Sequence, residues 1–160
     1  MNQSKYNKII RARLYTGHAV YATVRGTSME SILHDGDSVK ITRKENYSVG
    51  DILMYDYKEE GILLHRLLVI QNSRYYCKGD NSYRLEEVGD NDIYGVAVAK
   101  VQRGEEKLLV CPKGLPEMSL AVHDYLEELG VNLEILHKSE LYKKYKHRYL
   151  RGREVINKDY

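Results

Sequence analysis

The spacing of polar and apolar residues changes twice along this 160-residue chain. Residues 4–16 repeat apolar side chains at helical spacing and predict a short amphipathic helix that ends near Gly17. From Ala19 to Val110 the apolar residues fall in short segments rich in β-branched residues and tyrosine, bounded by glycine, aspartate and asparagine. These segments predict a β domain of about seven strands: YATVR, SVKIT, DILMY, ILLHRLLVI, RYYCK, YGVAVAKV and KLLV.

Helical spacing returns after Cys111, where proline and glycine interrupt the chain. The segment LPEMSLAVHDYLEELG predicts a helix that stops at Gly130, and VNLEIL then alternates like a strand. Ser139 is a candidate cap for a last helix, ELYKKYKHRYLR, that ends at Gly152. We therefore expect a mainly β protein in three parts: an N-terminal amphipathic helix (1–18), a β domain (19–110) and a helical extension with a basic tail (111–160).

Composition narrows the class of protein. Hydrophobic residues make up 42% of the chain and charged residues 30%, which is ordinary for a soluble globular protein. The net charge of +2 is too small to indicate nucleic-acid binding by itself. Cys77 and Cys111 form no metal-ligand or disulfide pattern, and no apolar run approaches the roughly 20 residues of a membrane span. We expect a cytoplasmic protein without a transmembrane segment or a secretory signal.

Three segments of the β domain carry candidate chemistry. Ser28 follows a strand and precedes an Asp-Gly-Asp turn, so it can lie at an exposed strand end. His65 interrupts an apolar strand, where an imidazole needs partners for its nitrogens; a core histidine bonded to a backbone carbonyl is the alternative. Asp80 lies in the turn of CKGDNS and presents a carboxylate that could orient His65, although such turns are also common in ordinary loops.

Five ordered segments together resemble the boxes of the signal peptidase I family, within the LexA/signal peptidase superfamily, and they cover about Val24 to Val101. They are GTSMESILHDGDSVKI, VGDILMY, HRLLVI, KGDNS and YGVAVAKV. The resemblance implies a serine endopeptidase on a mostly β fold, with the serine before methionine as nucleophile. One branch of the family uses a lysine base and another a histidine. His65 stands at that position, so the chain is similar to the histidine branch.

The resemblance implies a role for each matching residue. Ser28 would attack the scissile carbonyl, and His65 would take its proton and return it to the leaving amine. Asp80 is the first choice for the acid of the triad, and Glu86, a few residues further on, is the alternative. The backbone N–H of Ser28 would stabilise the oxyanion. Met29 would contribute to a small apolar substrate pocket.

Some positions depart from the family pattern. Gly26 stands where many relatives have a hydroxyl, which leaves the second oxyanion donor unassigned, and Ser31 replaces a usual proline. The LexA-like repressor peptidases share the fold and the Ser-Met box, but they use a lysine base and cut themselves at an Ala-Gly bond. This chain has no Ala-Gly dipeptide and has His65 at the base position, so we do not favour a repressor.

The expected partner is an extended peptide or precursor protein. A non-catalytic module that binds a peptide or a membrane is the alternative function. The basic last helix could contact a membrane surface or an acidic partner, or it could be a solvated face; we do not expect nucleic-acid binding. No motif for a metal, nucleotide or flavin is present, so we expect no cofactor.

Overall fold

The computed structural model describes residues 3–138. Within that range the helices are α1 (Gln3–Tyr15), α2 (Leu115–Glu128) and α3 (Leu133–Lys138). The strands are β1 (Val20–Thr23), β2 (Ser38–Thr42), β3 (Ile52–Asp56), β4 (Ile62–Gln71), β5 (Arg74–Lys78), β6 (Glu86–Val88), β7 (Ile93–Gln102) and β8 (Glu105–Leu108). The expected fold class, mainly β with an N-terminal helix and a helical extension, is confirmed.

All strand pairs in the described part of the chain are antiparallel, and they form one curled sheet. The strand order is β1-β2-β7-β3-β4-β5-β6, with β8 paired to β7. Strand β4 changes partner along its length: residues 62–66 pair with β3, and residues 66–71 pair with β5. The first half of β4 and the outer edge of β1 are therefore free of a second partner strand among residues 3–138.

The sheet is buried on both faces where it holds the candidate site. In β3, Ile52 and Met54 belong to a first core, while Leu53 and Tyr55 belong to a second core on the opposite face. The first core also includes Ile10 and Leu14 of α1 and residues that follow β1. Burial of both faces fixes the register of β3 and β4, because a slip of one residue would exchange the two sets of side chains.

The predicted helix ends are confirmed. Helix α1 ends before Gly17, whose φ of 85° lies in the left-handed region that favours glycine. Helix α2 ends before Gly130, which has a φ of 73°. Cys77 and Cys111 are free thiols, and no helix within residues 3–138 is long and apolar enough to cross a membrane.

Two details of the prediction are wrong. The segment VNLEIL is not a strand, because residues 133–138 form α3, and Asn132 accepts a hydrogen bond from the N–H of Ile135 as a helix cap does. An eighth strand, β6, was not expected because it is three residues long and begins with two glutamates. The predicted last helix and its cap at Ser139 lie outside the described residues.

Candidate active site

Ser28 lies in a turn that follows β1. The N–H of Val24 donates to the carbonyl of Asp37, and the N–H of Gly36 donates back to the carbonyl of Val24, so this pair of bonds closes the loop that carries Ser28. Met29 is 2% exposed and lies in the first core, which anchors the turn. Ser28 itself remains partly exposed, which is what its predicted role as a nucleophile requires.

His65 faces Ser28 from β4. It pairs with Leu53 of β3 and is 3% exposed. Nε2 of His65 lies 3.0 Å from Oγ of Ser28, a hydrogen-bond distance. Ser28 and His65 are therefore in contact, as we expected. The alternative, a core histidine bonded to a backbone carbonyl, is wrong, because both ring nitrogens face side chains.

Glu86, and not Asp80, contacts the other nitrogen of His65. Oε1 of Glu86 lies 2.6 Å from Nδ1 of His65, and Glu86 is fully buried on β6. The hydroxyl of Tyr55 donates to the same carboxylate oxygen at 2.5 Å. A proton held on Nδ1 by Glu86 leaves Nε2 free to accept the proton of the Ser28 hydroxyl.

Arg84 occupies the second oxygen of the Glu86 carboxylate. Its Nε and Nη2 atoms donate to Oε2 at 2.9 and 2.5 Å. Burial raises the pKa of Glu86, but the electrostatic interaction with His65 and the hydrogen bonds from His65, Tyr55 and Arg84 outweigh burial and lower this pKa to about 2. Glu86 is therefore an anion at neutral pH, oriented by donors on both of its oxygens.

Asp80 binds Arg66 instead of His65, which corrects the first choice of triad acid. Both oxygens of Asp80 accept from Arg66, each at 2.8 Å, and Nη1 of Arg66 donates to the carbonyl of Gly50 at 2.7 Å. The reason lies in strand geometry. Arg66 follows His65 directly on β4, and adjacent side chains of a strand point to opposite faces. Asp80 therefore lies on the face of β4 opposite to the imidazole.

The turn that carries Asp80 also fixes the loop that carries Ser28. The backbone N–H of Asn81 donates to the carbonyl of Ser28 at 2.8 Å, and its side-chain amide donates to the carbonyl of Thr27 at 3.0 Å. Gly79 packs so closely that a Cβ there would lie 2.7 Å from the Ser28 carbonyl oxygen and 3.1 Å from Nε2 of His65. The KGDNS segment is thus a scaffold for the Ser28 and His65 pair.

A cleft of about 570 Å³ opens beside Ser28 and His65. Residues 21–25 form one wall, residues 62–65 form the other, and Met29 and Met54 lie between them. Helix α1 closes part of the cleft with Tyr6 and Ile10. The structure therefore places Met29, the expected pocket residue, in the lining of the cleft next to Ser28.

Tyr55 and Arg84 are the two site residues that the sequence did not reveal. Tyr55 lies within the apolar segment DILMY and looks like an ordinary core position. Arg84 lies in a loop, but its side chain is 5% exposed because it sits between Glu86, Glu60 and the ring of Tyr57. Arg84 precedes Glu86, the first residue of β6, by two positions. This closeness of a basic and an acidic residue in the sequence could have indicated that they pair.

Comparison with known families supports the fold assignment. A family model described as Peptidase S24-like matches residues 2–98, which is more than half of the chain. The chain belongs to the Peptidase S24-like family. This places it in the LexA/signal peptidase superfamily, as the five boxes indicated, on a serine-peptidase-like fold. The matched S24-like region contains Ser28, His65 and Glu86 and ends within β7. No curated protein matched the chain.

Proposed function

We propose that this S24-like protein is a serine endopeptidase that hydrolyses a peptide bond in an extended precursor, leader or signal-like peptide. The observation that carries the proposal is the continuous series of contacts from Oγ of Ser28, through the His65 imidazole, to the Glu86 carboxylate. Nucleophile, base and orienting acid stand in the order that acyl transfer by serine needs. The histidine base makes the site similar to the histidine branch of the signal peptidases.

In the proposed reaction, the Ser28 hydroxyl gives its proton to Nε2 of His65 as Oγ attacks the scissile carbonyl carbon. The resulting imidazolium is stabilised by Glu86, which stays ionised because its pKa is about 2. Imidazolium then protonates the leaving amine as the C–N bond breaks, which leaves an ester on Ser28. Water, deprotonated by the same imidazole, attacks the ester, and the proton returns to Oγ as the acid product leaves.

The negative charge of the tetrahedral intermediates needs a donor close to Ser28. The backbone N–H of Ser28 has no hydrogen-bond acceptor within residues 3–138, so it is available for that charge. Gly26 carries no hydroxyl, and its own N–H donates to the carboxylate of Asp35. We therefore assign the first oxyanion donor to Ser28 and none to Gly26.

The cleft suits an extended peptide. Its walls come from β1 and from the first half of β4, which have free edges in the described part of the chain. An extended substrate can pair its backbone with such an edge and present alternate side chains to the lining. Met29 and Met54 form an apolar floor beside Ser28. We propose that this floor receives the residue next to the scissile bond.

Mass spectrometry of peptide cleavage tests the proposal. Purified wild type, Ser28→Ala and His65→Ala are incubated with a library of extended peptides that have small residues before the cut. Ser4→Ala is the matched control, because Ser4 is exposed on α1. We expect cleavage by the wild type and the control only. Retention of peptides by all four proteins without cleavage would instead establish a non-catalytic binding module.

A further inference from the structure

Helix α2 buries two polar side chains and exposes four large apolar ones. Ser119 and His123, one turn apart on the helix, are 4% and 7% exposed. The four apolar side chains, which are between 38% and 60% exposed, form what we call the α2 stripe: Met118, Val122, Tyr125 and Leu129. A surface helix normally shows the reverse arrangement, with its apolar face toward the core. The outer face of α2 is therefore suited to contact with another surface.

The α2 stripe is continuous along one face of the helix. Its members are spaced four, three and four residues apart, and residues at that spacing lie next to one another on a helix. The stripe is about 17 Å long, because an α-helix rises about 1.5 Å per residue. Single apolar residues are common on protein surfaces, whereas a contiguous apolar surface marks an interaction site. The stripe therefore fits a partner with an apolar face of similar length.

The charges of α2 restrict the chemistry of that partner. The helix contains four acidic residues and no lysine or arginine. Glu117, Asp124 and Glu128 are exposed and are spaced seven and four residues apart, so they form an acidic row beside the stripe. Opposite charges on two surfaces favour their association and fix their relative position. The expected partner is therefore a segment with basic side chains next to an apolar face.

Residues 140–151 of this chain have that pattern. They are the segment ELYKKYKHRYLR, for which the sequence predicts a helix, and they lie outside the described residues. Between residues 141 and 151 the segment has five basic residues and no acidic one. Leu141, Tyr145 and Tyr149 are four residues apart and would share one face of the predicted helix. Twelve helical residues span about 18 Å, close to the length of the stripe, and an isolated helix of about this length needs a packing surface to be stable in water.

The point at which this segment follows the described structure favours a contact within one chain. Residue 139 comes ten residues after Leu129, the last member of the stripe. The intervening helix α3 is held in place by Leu133, which is 9% exposed, and by the contact of Glu134 with Arg84 at 3.4 Å. A short tether gives an effective concentration on the order of millimolar, well above that of a second copy in a micromolar solution. The chain's own segment is therefore favoured over another copy as the occupant of the stripe.

We propose that residues 140–151 pack as a helix on the α2 stripe of the same chain. The apolar face of the segment lies against the stripe, and its lysines and arginines lie near the acidic row. Met118 and Val122 also line a cavity of about 310 Å³ beside residues 30–32, so the docked helix covers one side of that cavity. The inference goes beyond the proposed function and does not depend on peptide cleavage.

Photo-crosslinking in the full-length protein tests this contact. Replacing Tyr125 by p-benzoylphenylalanine puts a photoreactive aromatic ring on the stripe, and the same group in place of Tyr15, which is 73% exposed on α1, is the matched control. Mixing isotope-labelled and unlabelled chains distinguishes crosslinks within one chain from those between chains. We expect crosslinks within one chain from position 125 to residues 140–151, with a yield about tenfold above that from position 15.

Substitutions in the C-terminal segment test which side chains make the contact. Tyr145→Asp puts a charge into the apolar face and should lower the crosslink yield from position 125 about tenfold, because a buried charge without a partner is costly. Tyr160→Asp, beyond the predicted helix, is the matched control and should leave the yield unchanged. Arg148→Glu should lower the yield severalfold through repulsion by the acidic row. Met118, at the other end of the stripe and 50% exposed, offers a second position for the photoreactive group if the variant at Tyr125 does not fold.

Each outcome decides the inference. Crosslinks that join two chains would overturn it and assign the stripe to a second copy of the protein. A yield no higher than that of the control position, or one that survives Tyr145→Asp, would also overturn it. Cleavage of peptides without these crosslinks would overturn the docked helix and leave the proposed peptidase intact, whereas crosslinks in a protein that cuts no peptide would support the docked helix and count against the peptidase alone.

Discussion

Glu86 reaches His65 across strand β5, and its Oε1 lies 2.6 Å from Nδ1 of the imidazole. Glu86 belongs to β6 and is paired with Cys77 of β5, while His65 belongs to β4. The contact therefore depends on three neighbouring strands being in register. Asp80, which is nearer in sequence to His65, contacts Arg66.

Replacing each carboxylate by an amide distinguishes the proposed catalytic role of Glu86 from the structural role of Asp80. We expect Glu86→Gln to lower kcat for peptide cleavage by about a thousandfold, because a neutral amide neither stabilises the imidazolium nor holds the proton on Nδ1. Asp80→Asn, measured below its own melting temperature, keeps kcat within about tenfold, since the side chain contacts Arg66 on the other face of β4. Equal losses in the two variants would contradict the assignment of Glu86.

The ion pair of Arg66 and Asp80 should contribute to the free energy of unfolding more than to catalysis. Both side chains are buried, and the two hydrogen bonds between them are 2.8 Å long. We expect Asp80→Asn to lower the free energy of unfolding by about 3 kcal/mol, because it leaves the guanidinium buried without its counter-charge. Urea unfolding followed by circular dichroism measures the change.

The exposed pair of Arg74 and Glu87 is the control for that measurement. Its side chains are about half exposed, although its contact distance of 2.9 Å is similar. Surface pairs contribute about 0–1 kcal/mol, so Glu87→Gln should change little. A loss for Asp80→Asn no larger than that for Glu87→Gln would show that burial does not decide the strength of the Arg66 pair.

Gly79 should be essential for activity because no larger side chain fits between it and the loop that carries Ser28. A Cβ at this position would lie 2.7 Å from the carbonyl oxygen of Ser28, so Gly79→Ala must push the nucleophile loop away from His65. We expect kcat/KM to fall by about a hundredfold, the cost of misplacing a catalytic group by roughly 1 Å. Gly89→Ala is the control: its φ of −89° suits alanine, and its Cβ would crowd the flexible end of Arg74 and lie at an ordinary 3.4 Å from a carboxylate oxygen of Asp92. Similar activity in the two variants would refute the close packing.

The depressed pKa of Glu86 predicts how stability depends on pH. Its pKa is about 2 in the folded protein, against 4.5 for an ordinary glutamate, so the unfolded chain binds the proton more tightly. The resulting stabilisation, about 3 kcal/mol, is complete above pH 4.5 and is lost as the pH falls toward 2. Urea unfolding between pH 6 and 2.5, in wild type and Glu86→Gln, measures this. If the free energy of unfolding fell in parallel in the two proteins as the pH is lowered, Glu86 would not be the source of this stabilisation.

The strands and the contact between Ser28 and His65 could be predicted from the sequence because both have local signals. β-branched segments between turns marked the strands, and a histidine inside an apolar strand was out of keeping with its neighbours. The order of boxes then linked Ser28 to His65, and the structure brings them to 3.0 Å. These features depend on neighbours in sequence or on fixed motifs.

The carboxylate that contacts His65 could not be chosen from the sequence, because strand register decides which carboxylate lies beside the imidazole. The turn before β6 places Glu86 beside His65, and no local pattern reveals how residues 81–92 fold. The same holds for Tyr55, since its hydroxyl acquires a carboxylate partner only when β6 brings Glu86 to it. The strand predicted for VNLEIL failed for a different reason: the cap at Asn132 favours a helix where short apolar alternation favoured a strand.

The central claim is that Ser28 and His65 act as one catalytic unit, and a double-mutant cycle tests it most directly. The measurement is kcat/KM for one cleaved peptide with wild type, Ser28→Ala, His65→Ala and the double variant. Residues that act as a unit lose their effect together, so the double variant should be no slower than either single variant. Losses that multiply, or a Ser28→Ala protein that cleaves at the wild-type rate, would contradict the claim.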